Sequence, residues 1–340
     1  MGKPFISVVM ANYNTPTEYL FESIDSILNQ TYKNFELIIV NDASDESLYN
    51  ILQNYTDDRI KIFENKKNMG LASSLNKAIR LAKGNYIARM DTDDISLPKR
   101  FEMQVEFLEN NPEVGVLGTG AIYIGQRKRI KKFTREHEKI KSSLLFQNQM
   151  LHPSVMIRKE IFNDDNNLYN SRYLTSQDYE LWSRLVWKTN FYNLPEILLK
   201  YRTHGGQLTA SRANLQYEMA NLVRTRMLSL GNIPLKQSEI DLINKSAFTK
   251  ALTSEELYHL KELSNKIVEL NRKTQQFDGK ALMYSLSVNL DRANYIYARE
   301  NKILPLGNLK LGIKHYYNSY SVQKYFGKYY NLATKIFGKQ

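Results

Sequence analysis

The sequence contains no cysteine. That excludes a disulfide framework, a thiolate metal site and a cysteine nucleophile, and it fits a reducing compartment. No stretch approaches the roughly 18–20 apolar residues of a membrane-spanning helix. Residues 1–10 carry one lysine, one proline and an apolar run too short for a signal h-region. The expected location is therefore the cytoplasm. No glycine-rich dinucleotide fingerprint opens the first strand–helix turn, and no phosphate-loop lysine motif occurs anywhere. Their absence argues against a dinucleotide dehydrogenase and a P-loop enzyme. There is no low-complexity tract and no convincing internal repeat. Acidic residues are outnumbered, 35 against 47 Lys and Arg, for a net charge of +12. Such a charge calls for an acidic partner: nucleic acid, nucleotide phosphates or an anionic membrane face.

What is present is a globular chain of 340 residues, 42% hydrophobic and 24% charged. That length corresponds to one large or two ordinary domains at about 150 residues each. Phe5–Met10 reads as a strand. Thr15-Pro16-Thr17-Glu18 then reads as a capped helix start, with Thr15 as N-cap and Pro16 in the first turn. Phe35–Val40 is almost continuously apolar, as a strand covered on both faces must be. Further strands are expected at Ile60–Phe63, Tyr86–Met90 and Val114–Thr119. Helical periodicity lies between them, the helix opened by Gly70 among others. This alternation implies a mostly parallel, doubly wound sheet. Ligands of such sheets bind beyond the carboxyl ends of the strands. The stretches to inspect are thus Ala11–Asn14, Asn41–Asp45, Asn65–Gly70 and Asp91–Asp94. Beyond a soft boundary near 208–212 the pattern becomes helical, with a second capping box at Thr253–Glu256.

Asp91-Thr92-Asp93-Asp94 sets three carboxylates within one turn after a buried-type strand. They repel one another unless a cation or solvent offsets the charge. Carboxylate oxygens suit Mg²⁺ or Mn²⁺. An isolated acidic turn or an N-cap for the next helix fits the same residues. Asp42, after the second strand, can accept hydrogen bonds from a base or ribose, or serve the neighbouring N-cap. Asp178 stands at a helix N-terminus, where the dipole favours its ionised form. It can take a proton from a hydroxyl nucleophile, or simply cap the helix. Arg202 and His204 end a further strand and can clamp a diphosphate or ligate a metal. His152-Pro153-Ser154 is a weaker candidate of the same kind.

In order along the chain, Val9–Asn14, Val40–Ser44, Asn68–Leu71, Asp91–Asp94, Gln177–Trp182 and Tyr201–His204 resemble the motifs of the family 2 glycosyltransferases of the GT-A fold. The set covers about the first 205 residues. The resemblance implies an α/β, doubly wound, mostly parallel GT-A (Rossmann-like) catalytic domain over 1–210. An α-helical C-terminal region, 211–340, would follow. It also implies inverting transfer of a sugar from a nucleotide-sugar, by first expectation a UDP-sugar, to a hydroxyl of a glycan acceptor. Many relatives of this kind extend lipid-linked glycans of bacterial surface polysaccharides.

By the same resemblance Ala11, Asn12, Asn14, Asp42, Asn68, Gly70, Asp91, Thr92 and Arg202 would bind the nucleotide-sugar. Asp93 and His204 would hold Mn²⁺ or Mg²⁺, and Asp178 would be the general base. Family members often carry glutamate just before the base; here it is Gln177. Glu180 is an additional carboxylate whose direction the sequence leaves open. The alternatives weighed against this are a sugar-phosphate nucleotidyltransferase and a non-enzymatic basic module binding membrane or nucleic acid. No nucleic-acid-binding motif supports the last, and nucleic acid is not an expected partner.

After Glu300 no acidic residue remains. At helical spacing Val322, Tyr325, Phe326, Tyr329, Leu332, Ala333, Ile336 and Phe337 share one face of the tail, about 309–339. Lys324, Lys328, Lys335 and Lys339 share the flank. Such a helix either lies on an anionic membrane or packs on its own domain. The basic stretch Arg127–Arg135 can serve the same surface or form an exposed hairpin. Exposed apolar helical faces also admit a homodimer.

Overall fold

The computed structural model describes residues 3–126, 128–205, 213–248 and 251–301. Among them nine strands form one sheet. They are β1 (Ile6–Asn12), β2 (Phe35–Asn41), β3 (Ile60–Glu64), β4 (Tyr86–Arg89), β5 (Ile95–Ser96), β6 (Val114–Gly125), β7 (Arg129–Lys131), β8 (Met156–Arg158) and β9 (Asn190–Thr203). The helices of the first part are α1 (Thr17–Leu28), α2 (Leu48–Ile51), α3 (Leu71–Leu81), α4 (Arg100–Asn110), α5 (His137–Ser143) and α6 (Gln177–Leu185). Then come α7 (Ala213–Leu230), α8 (Gln237–Ser246), α9 (Ser254–Thr274) and α10 (Gly279–Glu300).

The sheet order is β3-β2-β1-β4-β8-β6-β9-β5, with β7 paired to β6. The first four strands are mutually parallel, and β6 is parallel to β9. β8 is antiparallel to both its neighbours, and β5 and β7 also pair antiparallel. The α/β class with C-terminal helices is the expected one. The antiparallel insertions in its second half were not visible in the strand–helix alternation.

β2 is buried at every position, which is why its sequence shows no polar alternation. Along β1 the alternation sends Ile6, Val8 and Met10 to one core with α1 and α4, and Val9 to the other. The second core joins Leu75 and Ile79 of α3 with Leu181 and Trp182 of α6. It continues through Val223 and Met227 of α7, Ile243 of α8, Ile267 of α9 and Leu282 of α10. The C-terminal helices thus cover the α3/α6 face of the sheet.

Two helix starts show how local signals fare. The capping box at α9 forms: Thr253 Oγ1 accepts from Glu256 N at 3.1 Å and Glu256 Oε2 from Thr253 N at 2.8 Å. The one expected at α1 does not. Thr15 Oγ1 lies 2.6 Å from Thr92 Oγ1, and the helix begins at Thr17 without a side-chain cap. The hydroxyl binds a loop that follows another strand, so tertiary contact overrides the local cap. The amphipathic tail, residue 127 and the boundary near 208–212 lie outside the described residues. No helix among the described residues is long and apolar enough to cross a membrane.

Candidate active site

The register aligns Met10 with Ile39 and Val9 with Arg89, so β1, β2 and β4 end along one edge of the sheet. That edge gathers Ala11–Asn14, Asn41–Asp45, Asn65–Gly70 and Asp91–Asp94. Asn12 Nδ2 donates to Asn41 Oδ1 at 3.3 Å and Ser44 Oγ at 3.1 Å, and its buried Oδ1 has no partner among the described residues. Asn14 binds Asp45 through both ends of its amide. Ala11 is half-buried beside Val40.

Asp42 is buried and already engaged. Its Oδ1 accepts from Asn65 Nδ2 and Met69 N, and its Oδ2 from Gly70 N, each at 2.8 Å. It therefore anchors the loop before α3, where Asn68 Oδ1 also accepts from Gly70 N. Gly70 has φ +83°, a conformation that favours glycine although a Cβ there would meet nothing within 4 Å. Asn14, Ala43 and Ser176 also have positive φ without being glycine. Strain of this kind gathers at functional sites.

One carboxylate oxygen each from Asp91, Asp93 and Asp94 lies within 4.8 Å of the others. β9 brings Arg202 and His204 onto them from more than 100 positions away. Arg202 N donates to Asp94 Oδ1 at 2.8 Å and Arg202 Nε to the Asp93 carbonyl at 2.8 Å. Its guanidinium also pairs with Glu22 and lies 4.2 Å from the Tyr19 ring centre. His204 Nε2 is 2.9 Å from Asp93 Oδ2. Thr92 is turned to Thr15. Burial and the charge of Asp91 raise the pKa of Asp93, against the opposing bond from His204. Burial, Asp91 and Asp93 raise that of Asp94 well above the carboxylate range. Asp94 Oδ2 is buried without a partner among the described residues. Crowded oxygens of this type, one of them orphaned, fit a hard divalent cation.

Asp178 lies across the α3/α6 face, in the first turn of α6. Its Oδ1 accepts from Tyr179 N at 2.8 Å and its Oδ2 from Asn148 Nδ2 at 2.7 Å. Burial raises its pKa, while these bonds and the charge of Arg89 oppose the rise. Gln177 turns back to the Leu174 carbonyl at 3.0 Å. Glu180, whose direction the sequence left open, is fully buried between Arg184 and Arg226 at 2.8 and 3.0 Å. It is a structural ion pair between α6 and α7.

His152 Nε2 lies 2.7 Å from Tyr169 OH, and its ring meets Trp182 edge-on. Burial, helped by Arg89, holds its pKa well below the ordinary histidine value. Three residues here escaped the sequence reading. Arg89, 2% exposed, ion-pairs with Asp91. It had a signal: a charge ending a strand that is otherwise apolar, two positions before the acidic turn. Asn148 and Tyr169 lie in irregular chain and had none.

The matching family model, Glycosyl transferase family 2, covers residues 7–165. A Haemophilus influenzae protein named as an uncharacterized glycosyltransferase is 31% identical over 304 residues, spanning 85% of this chain and 87% of that protein. The chain belongs to glycosyl transferase family 2. It is accordingly a transferase, and the nucleotidyltransferase and non-enzymatic alternatives fall. Another member, the O-antigen biosynthesis glycosyltransferase WbnJ of Escherichia coli, is 37% identical over 224 residues, 64% of this chain and 86% of that one. Residues 1–349 of S. aureus TarS, solved in complex with UDP-GlcNAc, share the fold. The TM-score is 0.60 at 16% identity, over 89% of this chain and 93% of that one.

Proposed function

We propose that this chain transfers a sugar, with inversion, from a UDP-sugar to a hydroxyl of a glycan in surface-polysaccharide synthesis. One observation carries the reading: a three-carboxylate cluster bound to Arg202 and His204 lies beyond the strand ends, and Arg89, paired to one of its carboxylates, also acts on the half-buried Asp178 at a helix N-terminus. The named activities of relatives such as WbnJ, and the UDP-GlcNAc bound by TarS, support the substrate class.

In this reading Ala11, Asn12 and Asn14 line the nucleotide pocket. The unpaired Asn12 Oδ1 offers an acceptor to a base N–H. Asp42 shapes the pocket by holding the Met69 and Gly70 backbone in place, next to Asn68. Thr92 fixes the acidic turn against Thr15. Asp93 with Asp91, Asp94 and His204 would hold Mn²⁺ or Mg²⁺, which when bound offsets the diphosphate charge. Arg202 stabilises the charge building on the leaving diphosphate. Asp178 accepts the proton of the acceptor hydroxyl, whose oxygen attacks the anomeric carbon from the side opposite the diphosphate. Tyr179 N and Asn148 aim the carboxylate for that transfer. No covalent intermediate is needed.

The deciding experiment incubates the protein and Mn²⁺ with UDP-, GDP- and dTDP-sugars and measures released nucleoside diphosphate. Slow hydrolysis of one donor, lost in Asp93→Ala, is expected. No turnover and no nucleotide-induced melting shift across the panel would sink the reading. The lysine-bearing stretch 309–339 further suggests an acceptor at an anionic membrane face. Full-length protein is then expected to sediment with anionic vesicles, less so when Lys324, Lys328, Lys335 and Lys339 are changed to Gln or salt is raised.

A further inference from the structure

Arg89 ends β4. On that strand Tyr86 and Ala88 enter the α1/α4 core and Ile87 enters the α3/α6 core. Alternation therefore sends Arg89 to the α3/α6 side, where Asp178, His152 and Tyr169 lie. Its charge acts on all three. Its side chain is 2% exposed, and Nη2 binds Asp91. Nε and Nη1, both buried, meet no acceptor among the described residues.

A guanidinium presents five N–H donors in a rigid fork. Buried donors left unmade are costly, and a native orphan of this kind requires an explanation. The neighbours do not supply one. His152 and Tyr169 are bonded to each other, and Asp178 is bonded to Asn148 and Tyr179 N. These acceptors thus turn elsewhere, and Nε and Nη1 stay unpartnered among the described residues, on a side chain that binds Asp91 and acts on Asp178.

In the reading above, on which this inference rests, the transferred ring must lie between Asp178 and the acidic turn. The base and the attacked anomeric carbon are on one side and the diphosphate on the other. We propose that Arg89 is a sugar-binding residue: Nε and Nη1 donate to ring hydroxyls of the donor while Nη2 fixes Asp91, which accepts from a neighbouring hydroxyl. The surroundings also select the class of sugar. Arg89 is one cation already paired to Asp91, and it also acts on Asp178. A carboxylate on the sugar would have to compete with Asp91 for that single cation and would be repelled by the Asp178 carboxylate. The site therefore takes a neutral hexose or N-acetylhexosamine and disfavours a uronic acid.

The test is equilibrium binding, with Mn²⁺, of UDP, UDP-glucose, UDP-galactose, UDP-GlcNAc and UDP-glucuronate to wild type, Arg89→Lys and Arg89→Met. Melting curves first establish that each variant is folded. Arg89→Met should bind UDP within about twofold of wild type yet bind the preferred UDP-sugar about tenfold or more weakly, with Arg89→Lys between them. UDP-glucuronate should be the weakest sugar donor for wild type. A second arm needs no variant: donors deoxygenated at single ring positions should lose about tenfold on wild type at the hydroxyls that Arg89 holds. Unchanged sugar-donor binding in Arg89→Met, equal losses for UDP and UDP-sugar, or deoxy donors that bind like their parents would each overturn the inference alone. Wild type binding no nucleotide at all would overturn the function it rests on as well.

Discussion

Asp178 is subject to two opposed influences. Burial raises its pKa, while Tyr179 N, Arg89 and Asn148 favour the charged form. The net direction is upward, and a base works only when ionised. The kcat/KM profile should therefore rise with pH through a value above the ordinary carboxylate range, and fall on the acid side. Asp178→Asn should keep donor binding and lower turnover by about 10²–10⁴. A mutant profile that retains the acid limb would assign that limb to another group. The residue scale also separates neighbours of similar chemistry. Asp178 and Glu180 lie two positions apart, yet one is half-buried and bonded to Asn148 while the other is fully buried between arginines.

Between elements, those arginines matter more than the single helix. Glu180 joins α6 to α7 through Arg226 and braces its own helix through Arg184. Removing it leaves guanidinium groups without their buried counter-charge. Glu180→Ala should cost about 3–5 kcal/mol in urea unfolding, with any surviving folded protein binding donor normally. The turn between α3 and β4 is equally constrained. A Cβ on Gly84 would lie 2.5 Å from Ser7 N and 2.7 Å from the Phe5 carbonyl. Both are backbone atoms that cannot rotate away. Gly84→Ala should destabilise by about 1–3 kcal/mol through displacement of β1, seen as a lower denaturation midpoint. A midpoint within error of wild type would mean the strand end yields freely.

For the whole molecule, the core on the α3/α6 face is continuous from the sheet into α7–α10. The helical part is thus not packed as a detachable appendix. Within it Asp291 of α10 has its pKa raised to about 6 by burial alone. A raised folded-state pKa means that the neutral acid is the favoured form. The associated stability is full below the unfolded-state value near 3.8 and is lost as pH rises through about 6. Asp291→Asn should accordingly raise the melting temperature by about 1–2 °C at pH 7.5, after allowance for its partial exposure. The gain should vanish near pH 4. A gain independent of pH would point to packing instead.

The sequence alone determined what depends on short range. Continuous apolar runs marked the strands buried on both faces, and 3.6-residue periodicity marked the helices. The carboxylates of Asp91–Asp94 stood out because they follow directly on such a strand, and Asp178 because it opens a helix. The α/β class and the family were legible from these. Other features were decided by the tertiary structure, because pairing partners are chosen by sheet order and not by proximity in the chain. β9, lying between β6 and β5, brings Arg202 and His204 to Asp93 and Asp94. The same packing turned Thr15 from a helix cap to Thr92, enclosed Glu180 between two arginines, and surrounded Arg89 with Asp178, His152 and Tyr169. Propensity and periodicity act over a turn or two of chain. The Glu180–Arg184 pair lies within one helix turn, but the other contacts join segments brought close only by the folded sheet and the helices packed on it.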